Sequence, residues 1–360
     1  MPVLSATECV TPAFRHTTQQ MFRPFRFAFW LRIAVLGLFT GEFAGEGFHG
    51  NFPGSFPGHA GNMGHAGTHA PFPWHPEWFT LVHIVPAVII FALFMIALTL
   101  IFLYISSTLR FVLFDAVLHG DARIGEGWRK WRETGRRYLV WQLLLALAGW
   151  GLLISCLIVP LLMLFPNHIG FWHIDAQAII VLAIGFFAMM VLGFVMAIAT
   201  ILAKDFVVPI MALEGVGWQE GWRRYLDIAR GHASEYVIYF LMKIVLRIVA
   251  GIGHGIITFF VALLFAVPVA IAAIVGVSIG VGATMVVKAL LITMAIVAGL
   301  ILLAVFVAIS AFTGAPIAFF FPAYSIYFFA GRYAPLGQIV FPGPPPPPPV
   351  YAPEIPTTPA

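Results

Sequence analysis

The chain has 360 residues, of which 61 % are hydrophobic and only 9 % charged, and its mean hydropathy is +0.96. A water-soluble domain carries about 25 % charged residues. Most of this surface must therefore face lipid, which excludes one or two soluble domains. The formal charge of +4 is small; where the cations sit matters more than their sum, and no nucleic-acid partner is expected. Cys9 and Cys156 fall in unlike segments and imply no disulfide framework.

Residues 1–26 set Phe14, Thr18, Met21, Phe22 and Phe25 at helical spacing beside Arg15, Arg23 and Arg26, the pattern of a helix lying in the membrane interface. No cleavable leader precedes residue 27, so the first apolar segment is expected to act as an uncleaved anchor. That segment, 27–43, is predicted as the first span; it contains Arg32, placed to snorkel toward the headgroups, and ends at Glu42. Residues 44–78 are Gly, Pro, Phe and His without periodicity and read as an outward loop.

Further spans are predicted at 79–105, 138–165, 176–203, 237–265 and 286–312, with a break near Pro268. Residues 315–330, interrupted by Pro316 and Pro322, read as interfacial or re-entrant. The whole of 27–335 is thus one membrane domain. It is followed by a tail, 336–360, whose prolines 344–349 form a polyproline II rod able to dock an aromatic-lined partner. The fold class is all-α: a polytopic membrane protein of about six transmembrane helices, in repeated hairpins joined by interfacial amphipathic helices.

Of the 19 Lys and Arg residues, none lies in 33–109 or 138–203. The positive-inside rule then places both termini, 106–137 and 204–235 in the cytoplasm, and Lys243 and Arg247 snorkel toward that side. The expected location is a cytoplasmic (inner) membrane.

Two cytoplasmic stretches resemble each other. Glu126-Gly-Trp-Arg-Lys-Trp131 is echoed by Glu220-Gly-Trp-Arg-Arg-Tyr225, and 111–120 aligns with 206–215. Trp128, Trp131 and Tyr138 share one helical face beside Arg129, Arg132 and Arg136; Trp222 and Tyr225 do so beside Arg223, Arg224 and Arg230. Rings and arginines at headgroup level favour anionic lipid, and the same pattern serves as a plain topology signal.

Three further features bear on function. His59, His65 and His69 in the outward loop are metal-ligand types, yet no cysteine pair or fixed carboxylate completes a site, so a solvated loop is the other reading and no cofactor is expected. His254, in Gly251-Ile-Gly-His-Gly255, lies inside a span. It is read either as a relay or binding group or as a helix-packing residue beside a small-residue contact. Asp115 and His119, four apart, are placed to pair. Phosphate-loop, nucleophile-elbow and zinc-protease motifs are missing from the sequence, and no enzyme is expected.

Three stretches carry a resemblance: Phe22-Arg-Pro-Phe-Arg26 through Thr40-Gly-Glu42, Asp205-Phe-Val-Val-Pro-Ile-Met211, and Glu220-Gly-Trp-Arg-Arg-Tyr225. The chain resembles a family of uncharacterised bacterial polytopic membrane proteins. These are distantly similar to the membrane domain of some glycerophosphoryl diester phosphodiesterases. The resemblance implies no hydrolase here, because this chain has no soluble catalytic domain. Two functions are carried forward: a non-enzymatic scaffold or accessory protein contacting lipid or a partner, and a small-molecule or lipid transporter built on the hairpins.

Overall fold

A computed structural model describes residues 4–43, 81–164, 176–282 and 284–342. The described chain is helical: α1 (Val10–Phe22), α2 (Phe27–Thr40), α3 (Leu81–His119), α4 (Ile124–Leu164), α5 (Ala176–Leu202), a π turn (Ala203–Val207), α6 (Val208–Glu214), α7 (Trp218–Arg230), α8 (Ala233–Val281), α9 (Met285–Ala330) and α10 (Ala334–Val340). Gly120 and Gly215 close α3 and α6 at φ +70° and +67°, the left-handed stop that only glycine adopts without steric cost.

Several boundaries differ from expectation. Pro268 does not break α8, and α9 runs through Pro316 and Pro322 without interruption. A break in apolar surroundings leaves backbone groups without partners, so a continuous helix is cheaper than a re-entrant bend. The Glu126–Trp131 stretch is not a separate surface helix; it forms the first turns of α4, whereas its counterpart is the distinct α7, ended at Gly231. Segment 27–43 folds as only 14 helical residues, about 21 Å long against a hydrocarbon core of about 30 Å. The described residues thus contain five helices long and apolar enough to cross a bilayer, with α2 a shorter apolar one.

The molecule has two kinds of packing. Large apolar side chains stay exposed along Val88–Ile101, Val140–Ile158, Ile179–Val195, Val237–Val275 and Met285–Val307. In the most apolar window of each long helix no more than 11 % of residues are buried. Lipid tails are as apolar as these side chains, so nothing drives them inward. Burial collects instead at one end, from α1, α2, the last turns of α3, the π turn with α6, and the C-terminal third of α9. Phe206 lies parallel to Tyr225 at 5.2 Å and edge-on to Tyr236 at 5.1 Å; such pairs contribute about 0.5–1.5 kcal/mol each.

The two described chain ends meet there. Tyr324 donates to the Ala6 carbonyl at 3.0 Å, and Arg332 to that of Leu4 at 3.2 Å. Cys9 beneath this strap is fully buried, and burial pushes its thiol up to about 12. The neutral thiol is the folded form, so its contribution to stability is complete below the unfolded thiol pKa and fades as pH climbs toward 12. At pH 8 far fewer such thiols are ionised than free ones. In a Cys156→Ser background, maleimide should therefore label Cys9 only after denaturation. Rapid labelling of the folded protein would contradict the strap.

The two related stretches make like contacts. A Cβ on Gly127 would meet Val112 at 2.9 Å, and one on Gly221 would meet Val207 at 2.9 Å. Trp131 stacks on Phe111 at 5.9 Å as Tyr225 stacks on Phe206. In both, glycine admits a valine from an earlier helical segment and an aromatic ring closes over the phenylalanine just before that valine.

Candidate functional site

The polar side chains of the packed end converge on one ionic centre. The C-terminal end of α2 brings Glu42, which is 1 % exposed and bonded to Lys204 Nζ at 2.5 Å and Arg247 Nη2 at 3.2 Å. Arg247 also donates to the Glu42 carbonyl at 2.8 Å and lies 4.1 Å over the Phe321 ring. The π turn sets the neighbouring Lys204 and Asp205 both into the interior. Asp205 accepts from Lys243 at 2.5 Å and from Tyr239 at 3.0 Å. Arg110 of α3 donates to the Thr40 carbonyl at 3.0 Å and to the Tyr138 hydroxyl at 3.3 Å. Wide π turns recur at functional positions because they re-aim side chains within a helix. Charges this deep persist only when paired.

Among the intramembrane residues singled out by sequence, Glu42 is at this centre, while Arg32 is exposed on α2. His254 is half-buried: its ring stacks on Phe43 at 6.5 Å, Thr258 lies 3.4 Å from Nε2, and Nδ1 has no hydrogen-bond partner among the described residues. Among the described residues, nothing lies within 4 Å of a Cβ placed on Gly251 or Gly255, whereas Gly37 approaches Ala318 closely and Gly314 approaches Phe43. Lys243 and Arg247 do not snorkel outward but turn inward to carboxylates.

The candidate lipid-contacting residues divide by chemistry. Trp131 and Tyr225 are packing residues, 8 % and 3 % exposed, and burial raises the Tyr225 phenol above its ordinary pKa. Trp128 and Trp222 are half-buried against Tyr104 and Trp141. Arg129, Arg132 and Arg136 remain exposed. Arg223 pairs with Glu220, Arg224 with Glu214 and Glu220, and Arg230 with Asp227. Asp115 meets His119 at 3.1 Å as expected, and Lys130 as well. His59, His65 and His69 lie outside the described residues. Among the described residues, no group of three or more His, Cys, Asp or Glu side chains is placed to hold a metal ion.

Sequence reading missed Arg110, Lys204, Asp205, Lys243, Tyr138 and Tyr239 as one group. The available signal was the pair of acids, Glu42 and Asp205, each set beside an apolar run at a point where hydrophobic burial would otherwise forbid a charge.

A helical chain with five long lipid-facing helices and its ionic side chains gathered at one packed end is a multi-pass membrane protein. More narrowly, the chain belongs to the family of unknown function DUF7544, whose model matches residues 4–339. No curated protein and no solved structure matches it.

Proposed function

We propose that this is a non-enzymatic membrane scaffold or accessory protein that contacts anionic lipid through the outer face of its packed end. The observation that carries the reading lies on α4. Arg129, Arg132 and Arg136 share one exposed face that continues into exposed Val140, Leu144 and Leu147, so cations give way to lipid-facing carbon along a single stripe. Each basic residue at an anionic surface contributes about 1 kcal/mol. The two glycine-and-ring contacts support reading the chain as an internal repeat of hairpins. In the same proposal, the termini face the cytoplasm of a bacterial inner membrane, the proline-rich tail docks a partner, and the distant relation is to the phosphodiesterase membrane domain.

The Arg129/Arg132/Arg136→Gln triple variant should retain at least tenfold less anionic lipid through purification, with an unchanged Tm and a weaker dependence on salt. Equal lipid retention would sink this reading.

Transport is the second reading, and one observation favours it: Glu42 and Phe43 connect the ionic centre to His254, whose Nδ1 has no partner among the described residues. In proteoliposomes, a solute flux abolished by His254→Ala would favour the transporter over the scaffold.

A further inference from the structure

We infer that the elbow between α1 and α2 is a lipid-binding wedge: its exposed rings enter the acyl boundary and its arginines hold the headgroups of anionic phospholipids. α1 is apolar on two sides. Ala13, Thr17 and Met21 are buried, and the neighbouring His16 meets the Phe319 and Tyr327 rings of α9. The opposite side carries Phe14, Arg15, Gln19, Phe22 and Arg23, all exposed. Exposure continues through residues 24–28 and returns at Leu31 and Arg32 on α2. Phe14, Phe22, Phe25, Phe27 and Leu31 are between 47 % and 65 % exposed. Large apolar side chains clustered in this way mark an interaction surface.

Charge and level decide what covers it. Residues 9–41 contain four arginines, Arg15, Arg23, Arg26 and Arg32, and no aspartate or glutamate. Among the described residues no carboxylate pairs with any of the four, and Arg26 lies 5.1 Å over the Phe29 ring. Guanidiniums interleaved with rings suit a headgroup layer, where planar forks meet phosphate oxygens and carbon faces the acyl chains. Cations without a nearby counter-charge favour an anionic leaflet over a neutral one.

Phe27 packs against Phe312 at 5.3 Å. Val307 is the last large apolar side chain exposed on α9, and Phe312 follows it by about 7 Å of helix rise. The elbow therefore stands where the lipid-facing surface of α9 gives way to the packed end. Its shape is set in advance. Trp30 Nε1 donates to the Met21 carbonyl at 2.7 Å, and Phe22 and Phe25 pack on its ring at 5.1 and 5.3 Å. One indole thus ties the end of α1 to the start of α2, so little ordering entropy is lost on meeting lipid.

The test uses the full-length protein in a Cys156→Ser background, labelled with bimane at Phe25→Cys or, as a second reporter, at Leu31→Cys. It is reconstituted in vesicles of phosphatidylcholine and phosphatidylglycerol, with brominated acyl chains on one lipid class at a time. We expect strong quenching by brominated lipid, little by aqueous iodide, and a local preference for phosphatidylglycerol of about fivefold. Arg23/Arg26/Arg32→Gln should abolish that preference with an unchanged Tm, because these side chains are exposed.

Quenching by iodide but not by lipid puts the elbow in water and overturns the proposal. So does protection from both quenchers, which means that protein covers the face, and so does equal quenching by the two lipid classes. The surface shares its lipid class with the α4 stripe but none of its residues. The Arg129/Arg132/Arg136→Gln protein should keep the preference at the elbow, so failure of the α4 face and failure of the elbow read out separately.

Discussion

Asp205→Asn is expected to lower the stability of the folded protein by about 3–5 kcal/mol, the cost of leaving one member of a buried ion pair without its partner. The Lys243 ammonium lies 2.5 Å from the Asp205 carboxylate, and both side chains are 3 % exposed. Asparagine keeps the size and an acceptor for the Tyr239 hydroxyl but removes the charge. The ammonium then loses the opposite charge that offsets its desolvation at this contact. Tryptophan fluorescence during thermal unfolding in maltoside should show a much lower Tm. Replacing both partners, Asp205→Leu with Lys243→Met, should recover most of the loss, because a well-packed apolar pair avoids the penalty altogether. A wild-type Tm for Asp205→Asn would mean that the ion pair does not hold the π turn against α8.

Gly135→Ala is expected to be among the more damaging single-methyl changes at the described glycines, at about 1–3 kcal/mol. Its Cβ would stand 2.7 Å from Thr108 Oγ1 and 2.8 Å from the Thr108 Cα. A hydroxyl can rotate away, but a backbone carbon moves only if α3 and α4 separate. Gly251→Ala has nothing within 4 Å of the new methyl and should be neutral or slightly stabilising, since alanine is the better helix former. Urea or thermal unfolding of the two variants side by side gives the comparison. Equal stabilities would show that α3 and α4 do not touch at Thr108. The Gly251 result also bears on His254, whose small-residue neighbours were expected to seat another helix but face open space.

Much of the architecture was legible because apolar run length is a direct physical signal in a membrane protein. The five long helices coincide with five of the segments expected to cross, and the sixth, 27–43, is a shorter apolar helix near the lower limit of length for a span. Its helix stops at Gly41 and its last residues turn in to meet Arg110 and Arg247. Hydropathy alone does not distinguish a short span from an apolar helix packed across other helices. The pairing of Asp115 with His119 was legible from spacing, since neighbours four apart in a helix share a face.

The ionic centre was not legible as a unit. Glu42 and Arg247 are 205 positions apart, and Asp205 and Lys243 are 38 apart. No periodicity links them. For the same reason, snorkelling was the natural reading of Lys243 and Arg247, because a long cationic side chain near a helix end reaches water unless a carboxylate stands closer. The rings at Trp131 and Tyr225 were misplaced on similar grounds. An aromatic beside arginines fits a headgroup belt and a core equally well, and only the glycines that admit Val112 and Val207 turn those rings inward.

By itself the sequence determined that this protein is helical, that it lives in a membrane, and where its cations could not lie, because each follows from the local cost of placing charge or backbone in hydrocarbon. Only the tertiary structure decided which charges meet. That depends on a π turn re-aiming Lys204 and Asp205, on α2 delivering Glu42 from far along the chain, and on the low dielectric that makes each of those contacts strong once it is made.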